Sequence, residues 1–212
     1  MSSPPGTRER IAQKLRTQRA LVTAAADLVA AGKTPTVAEV ADAAMVSRAT
    51  AYRYFPSQEA LLVQVPLQMG VPTVKSLFGG DSQPTEVEDR VALVHNTMYD
   101  YIREREVQFR LFQRNELLRS LDPERTDVTL RPAFRLEWLD AALEPLEDEL
   151  DADELERLKT ALSILIGTEA LLVMRDVLHL EHEQARERGE WAVRQMVHAA
   201  RHHPVENINR TR

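Results

Sequence analysis

Apolar residues recur along most of this chain at steps of three and four, the spacing that gathers them on one side of an α-helix. Near the start, Ile11, Leu15, Val22, Ala25 and Val29 keep this step, joined by Leu21 and Leu28. They predict one amphipathic helix from about Thr7 to Ala31, with Gly32 at the position just past a helix end that glycine favours. A short helix then opens at Thr36-Val37-Ala38-Glu39. This is a capping box, in which hydroxyl and carboxylate each satisfy the other residue's free backbone amide. Ser47 is placed to cap a third short helix ending near Tyr54, and Ser57 a fourth after Pro56. Pro66 interrupts or kinks that fourth helix, because proline has no amide proton and clashes with the preceding turn.

Beyond it, Gly79-Gly80-Asp81-Ser82-Gln83-Pro84 reads as a loop, and Thr85-Glu86-Val87-Glu88 as a second capping box that starts a helix to about Arg105. Further helices are expected at about 107–121, 132–147, 153–180 and 183–202, and a frayed tail from Pro204. No stretch alternates with the period of two that a strand requires. The fold class expected is therefore all-α: a helix-turn-helix domain over 1–65 with a basic N-terminal arm, and a helical domain for ligand binding and dimerisation over 66–212.

The pattern carries most meaning in its first third, where three short helices fit into about 35 residues. Only Ala44-Met45-Val46 and the Ser47 cap separate the second from the third. So short a turn sets two helices at a steep angle, one bracing across a DNA backbone while the next enters the major groove. Val37, Val40, Ala41, Ala44 and Val46 are the inward set. Arg48, Thr50, Tyr52, Arg53 and Tyr54 cluster on the third helix, and their chemistry suits DNA. Arginine forks onto guanine, threonine meets a thymine methyl, and tyrosine hydroxyls reach phosphates.

A net charge of −6 runs against a DNA partner until the chain is divided. Residues 1–70 hold eight Lys and Arg against five Asp and Glu, a net of +3, which leaves −9 for the remainder. That asymmetry is the one expected when one end meets nucleic acid. The chain has no cysteine, which removes disulfides, thiolate metal sites and cysteine nucleophiles. No apolar run approaches the roughly 20 residues of a membrane helix, and Met1 to Gly6 lacks a signal-peptide core, so the expected location is the cytoplasm, with no membrane partner.

Arg19 to Leu62 resembles the DNA-binding domain of the tetracycline-repressor family of bacterial regulators. The resemblance is carried by Ala24-Ala25, Gly32, Thr36-Val37-Ala38-Glu39-Val40-Ala41, Val46-Ser47 and, most specifically, Thr50-Ala51-Tyr52-Arg53-Tyr54-Phe55-Pro56-Ser57 with Glu59-Ala60-Leu61. Near the far end, Gly167-Thr168-Glu169-Ala170-Leu171, Arg175-Asp176-Val177-Leu178, Glu183-Gln184-Ala185 and Trp191-Ala192 resemble the family's last helices, while about 75–150 matches only in helical character. The resemblance implies that Arg48, Thr50 and Tyr52 reach bases or phosphates, and that Thr36, Tyr54 and the amide end of the helix after Ser57 hold phosphates. The DNA-contacting set is thus Thr36, Ser47, Arg48, Ala49, Thr50, Tyr52, Arg53, Tyr54, Ser57 and Gln58. Two positions depart from the family. Met45 stands where glycine is usual, so the turn bends without glycine's freedom or Met45 takes a costly positive φ. Gln58 stands where lysine is usual, which removes one phosphate-binding charge and leaves the arm Arg8–Arg19 to compensate.

Elsewhere, His95, Tyr99, Phe109, Phe112 and Trp138 are candidates to line a ligand cavity, although helical spacing serves a plain core equally well. Glu169, a lone carboxylate among apolar residues, calls for an arginine on a neighbouring helix or a cationic ligand. Gly167 suits close helix approach. Asp176, His179, His182 and Glu183 read as a solvated cluster, so no metal and no cofactor is expected. Glu-x-x-His pairs, Gly-rich phosphate loops and hydrolase elbows are missing, and no enzyme is expected. Leu165, Leu172, Ala192 and Met196 are expected in a dimer interface where the last two helices form a four-helix bundle with their symmetry mates. The expected function is a dimeric regulator, a repressor by resemblance, that holds a near-palindromic double-stranded operator and releases it when a small-molecule effector binds.

Overall fold

In a computed structural model the described residues are 5–65, 67, 70–80, 83–121 and 134–202, apart from the side chains of 5–12, 15 and 119. In chain order the helices are α1 (Pro5–Ala30), α2 (Val37–Ala43), α3 (Arg48–Tyr54), α4 (Gln58–Leu62), α5 (Val74–Phe78), α6 (Val87–Glu104), α7 (Glu106–Ser120), α8 (Phe134–Leu143), α9 (Ala152–Leu165), α10 (Thr168–Leu172) and α11 (His182–His202). No strand occurs among the described residues. The chain divides into two compact units, Met1–Val71 with Arg105–Pro132 and Pro72–Glu104 with Ala133–Arg212. The break expected at Pro66 and the fraying expected from Pro204 lie outside the described residues.

In the first unit, Leu21, Val22 and Ala25 of α1 close over Val37, Val40 and Ala41 of α2, Ala51 of α3, Phe55 and Leu61. Each large apolar side chain so buried contributes about 1.5–3 kcal/mol, which is what holds helices of five to seven residues that would melt in isolation. One polar link crosses this core: Gln18 Nε2 donates to Gln64 Oε1 at 3.0 Å, tying α1 to the chain after α4. On α7, Phe109, Phe112 and Glu116 are buried while Val107, Leu117 and Leu118 are exposed.

The second unit is organised around α6, which packs on α11 and on α8. The α6–α11 pair is antiparallel, and polar contacts mark its register: Asp100 with Arg186, Asn96 with Glu190, Asp89 with Arg194 and Glu88 with Arg201. Trp138 on α8 is fully buried, donates its Nε1 proton to the Pro72 carbonyl at 3.1 Å and packs against Phe134.

Four expectations change here. The short helix α5 was not foreseen; Thr73 caps it by accepting from the Ser76 amide at 3.0 Å. The box at Thr85 gives way to a start at Val87, with the Glu86 carbonyl accepting the first bonds, because Glu88 turns to Arg201 instead. The helix expected over 132–147 is α8 followed by a 3-10 turn at Glu144–Leu146, as Pro145 cannot donate to a continuing α ladder.

The helix expected over 153–180 is broken. It begins earlier, at a capping box of Asp151 and Glu154, and α9 ends at Leu165. Arg135 reaches in from α8 and donates to the Ile166 carbonyl at 2.9 Å, with Glu169 Oε2 at 3.5 Å. A cation at the end of α9 and an anion in the first turn of α10 both suit their helix dipoles, and so the break is stabilised by a buttress from outside. Gly167 is where the guanidinium passes: a Cβ there would collide with it. Beyond α10 the chain widens into a π turn, Val173–Val177, and ends with His179 at φ 52°. No helix among the described residues is long and apolar enough to cross a membrane.

Candidate nucleic-acid interface

The turn between α2 and α3 is built from two caps. Thr36 and Glu39 form the expected box at the start of α2, with Glu39 Oε2 accepting from the Thr36 amide at 2.7 Å and the Glu39 amide donating to Thr36 Oγ1 at 3.2 Å. The bonds that the Thr36 amide and hydroxyl donate to it hold the Glu39 carboxyl below the usual carboxylate range. At the far end of α2 the Val46 amide donates to the Ala41 carbonyl at 2.9 Å and the Met45 amide to the Asp42 carbonyl at 3.2 Å. This is a Schellman motif, which needs a left-handed residue between cap and exit. Met45 supplies it at φ 55°, so of the two ways to close the turn the chain takes the strained one.

Ser47 then caps α3, its Oγ accepting from the Thr50 amide at 3.2 Å and donating to Thr50 Oγ1 at 2.9 Å. The helix divides into two faces. Ala51 is buried, Phe55 just beyond is 1% exposed, and Tyr54 lies half-buried against the same core. Arg48, Ala49, Tyr52 and Arg53 are exposed, with Tyr52 at 48%. A seven-residue helix that locks one face into a core and turns two arginines and a tyrosine outward is suited to a polyanion carrying base edges. Arg53 leans on the Tyr54 ring at 5.8 Å from its centroid.

Asp42 is the member of this site that the sequence reading missed. Arg48 Nη2 lies 2.7 Å from Asp42 Oδ2 and its Nε 3.3 Å from Oδ1, a two-point pair across the turn. The pair lowers the Asp42 pKa and raises that of Arg48. The spacing was a usable signal, since an acid in the last turn of one helix faces a base at the start of the next when only a tight turn intervenes. Gln58 has a role that its position alone did not reveal. Its Nε2 donates to the carbonyls of Thr34 at 3.2 Å and Pro35 at 3.0 Å, fastening the start of α4 to the chain before α2. Ser57 caps α4 by accepting from the Ala60 amide at 3.1 Å. In the basic arm the side chains of Arg8 and Arg10 lie outside the described residues, while Arg16 and Arg19 are exposed on α1.

The residues expected to bind a ligand are brought together only in part. In the second unit His95 and Tyr99 of α6 meet Leu165 and Ile166 at the end of α9, and Leu171 and Met174 beyond it, around a cavity of about 10 Å³. That is room for about one water. Trp138 is spent on Pro72 and Phe134, Glu169 lies beside Arg135, and Phe109 and Phe112 belong to α7 in the first unit. His95 is 3% exposed, and burial pushes its pKa below the ordinary 6.5. Leu165, Leu172, Ala192 and Met196 are each half-buried. More exposed on these elements, or on the π turn and the residue after it, are Ile164, Val173, Val177, Leu178 and Trp191, the last at 65%.

With this geometry in view, the family described as bacterial regulatory proteins of the tetR family matches residues 21–65, from Leu21 in α1 to Val65 beyond α4. No curated protein and no solved structure matches the chain. The matched stretch contains both caps, the strained turn and the whole outward face of α3. Residues 21–65 are thus a helix-turn-helix domain similar to that of the tetR family of bacterial regulatory proteins, and this N-terminal domain supports a DNA-binding transcriptional regulator.

Proposed function

We propose that the protein is a homodimeric, effector-responsive repressor that holds a near-palindromic operator through two copies of α3. The observation that carries this reading is the division of α3 into a core-locked face and an exposed face of Arg48, Ala49, Tyr52 and Arg53. Thr36, Ser47, Thr50, Tyr54, Ser57 and Gln58 flank that face, as caps and phosphate partners. Two such helices on a symmetric dimer meet successive major grooves when about 34–36 Å apart, or a larger multiple.

Pairing is supported by the apolar side chains left on the outside of the second unit. Ile164, Val173, Val177, Leu178 and Trp191 are all at least half exposed. So many large apolar groups on neighbouring elements mark an association surface, and they extend the expected set of Leu165, Leu172, Ala192 and Met196 outward. The effector is a small molecule held in the second unit near His95 and Tyr99, and the site of action is the cytoplasm, where the operator is. An effector that binds better to one spacing of the reading heads lowers operator affinity by that difference.

The test joins a gel shift on genomic fragments with sedimentation. The expected result is a dimer that retards a fragment with two half-sites. A monomer that retards single half-sites equally well would overturn the dimeric reading, and a chain that retards nothing would overturn the regulator itself.

A further inference from the structure

His198 and His202 lie four residues apart at the end of α11, a step that sets two side chains one above the other on the same side of a helix. Their ring centroids are 4.3 Å apart, with the planes inclined at 61°, and both side chains are exposed. Among the described residues neither ring hydrogen-bonds to another group, so the ring nitrogens are turned to solvent. Two imidazoles at this step on one helix face are a minimal chelate for a transition-metal ion. With metal–nitrogen bonds of about 2.0–2.1 Å at a square or tetrahedral angle, the centroids of two such rings fall roughly 4.5–5 Å apart. The pair reaches that spacing by small rotations about exposed side-chain bonds.

The surroundings suit a cation. Arg194 lies one turn before His198, and Arg201 directly precedes His202. Each is held by two carboxylates, Arg194 by Asp89 and Glu190 and Arg201 by Glu88 and Glu149. Four carboxylates therefore face two guanidinium groups, and the arginines do not repel an incoming metal ion. The pair also stands at the C-terminal end of α11, where the helix dipole favours positive charge. Among the described residues no third His, Cys, Asp or Glu joins the two in a metal-holding cluster, so water completes the coordination shell.

We infer that His198 and His202 form a surface site for one transition-metal ion of the Cu²⁺, Ni²⁺ and Zn²⁺ class. Imidazole nitrogen suits these ions, whereas Mg²⁺ and Ca²⁺ take oxygen ligands. The site lies apart from the cavity beside His95, whose lining includes neither histidine, and it owes nothing to the effector reading.

The test uses the full chain without an affinity tag, titrated by calorimetry with Cu²⁺, Ni²⁺, Zn²⁺ and Mg²⁺ in a buffer that does not chelate. One ion is expected per chain, Cu²⁺ tightest of the three transition metals, and no binding of Mg²⁺. His198→Ala and His202→Ala should each weaken Ni²⁺ binding about 100-fold, the loss of a second donor held at high effective concentration. His182→Ala, at the other end of the same helix, should leave it unchanged. Both histidines of the pair are exposed, so the variants are expected to keep the wild-type urea midpoint without metal. Imidazole NMR reads the wild-type protein directly. Paramagnetic Ni²⁺ should broaden the His198 and His202 signals before those of His95, His179 and His182. No binding of Ni²⁺ up to millimolar concentration overturns the inference, as do Mg²⁺ binding of equal strength and an affinity that survives either alanine at the pair. Broadening that begins at His95, His179 or His182, or a loss of binding in His182→Ala, places the ion elsewhere and overturns it too.

Discussion

The two units use polar side chains in opposite ways. In the first, the contacts that shape the candidate interface are local and exposed: Thr36 with Glu39, Ser47 with Thr50, and Asp42 with Arg48 lie three to six residues apart. In the second, Tyr99 with His182, Asn96 with Glu190, Asp89 with Arg194 and Glu88 with Arg201 join groups 83 to 113 residues apart. Exposed local bonds cost little to make and leave donors free to exchange their partner for DNA. Distant bonds, three of these four part-buried, join helices far apart in the chain, so they hold one packing arrangement in place. At the candidate interface the first unit pairs its polar groups with near neighbours, and the second uses them to tie distant helices together.

The largest test of this contrast is Gly189→Ala. The new methyl would press on the buried His95 ring, and overpacking of this kind costs about 1–3 kcal/mol, read as a lower urea midpoint for the full chain. A midpoint unchanged by the extra methyl would mean that α6 and α11 separate freely and that distant contacts do not hold the second unit together. The counterpart in the first unit is Tyr52→Ala. It should weaken operator binding about 10- to 100-fold per half-site while leaving the urea midpoint nearly unmoved. A parallel loss of stability would make Tyr52 a packing residue and erase the distinction.

The same contrast explains what could be read in advance. Caps, turns and the amphipathic stripe of α1 are written in neighbouring residues, so α1 to α4 and the outward set on α3 follow from local chemistry. The break after α9 is not local. Its cause is Arg135, which precedes Ile166 by 31 residues and lies in a helix whose packing the sequence does not state. Apolar periodicity runs through Leu162, Leu165 and Leu172 without a gap, and Gly167 alone is compatible with a continuous helix. His95 likewise shows its role only once Asn96, Glu190 and Gly189 surround it. Asp42 and Gln58 fall between these cases, near in sequence yet defined by where a side chain turns.

Acid should separate the units next. Burial first, and then Arg186, lower the His95 pKa, while Asn96, Glu190 and Asp100 oppose this in part; Tyr99, bonded to His182, faces it from the same helix. A base whose folded pKa is depressed contributes fully above its unfolded value of about 6.5 and loses that contribution as the pH falls below it. Urea midpoints of the full chain should therefore decline between about pH 6.5 and 5, before the carboxylates titrate, and His95→Phe should flatten that decline. A wild-type midpoint constant over this window would show that the ring takes its proton without unfolding anything. In the first unit Asp42→Asn should act without touching stability. Freeing Arg48 is expected to steepen the slope of log K against log salt by up to about 2 per dimer, and an unchanged slope would mean that Arg48 meets DNA without leaving Asp42.

The smallest effect expected comes from the turn itself, where one unit repeats a single cap with two residue types. After α1 the Lys33 amide donates to the Leu28 carbonyl at 3.0 Å and the Gly32 amide to the Val29 carbonyl at 2.9 Å, with Gly32 at φ 76°. After α2 the same two bonds form with Met45 at φ 55°. A left-handed residue with a Cβ is disfavoured by about 1–2 kcal/mol, and Met45 at 94% exposed has no packing to set against that. Glycine there relieves the strain but gives the unfolded chain more freedom, worth about 0.4–1 kcal/mol. Met45→Gly should therefore stabilise the first unit by about 0.5–1 kcal/mol, whereas Gly32→Ala at the equivalent position should destabilise it. His179, at φ 52° in the second unit, is the control. If the cap geometry alone decides, His179→Gly follows Met45→Gly in sign. Opposite signs would show that the wall beside the cavity depends on the His179 side chain, and that even this local motif is read differently in the two units.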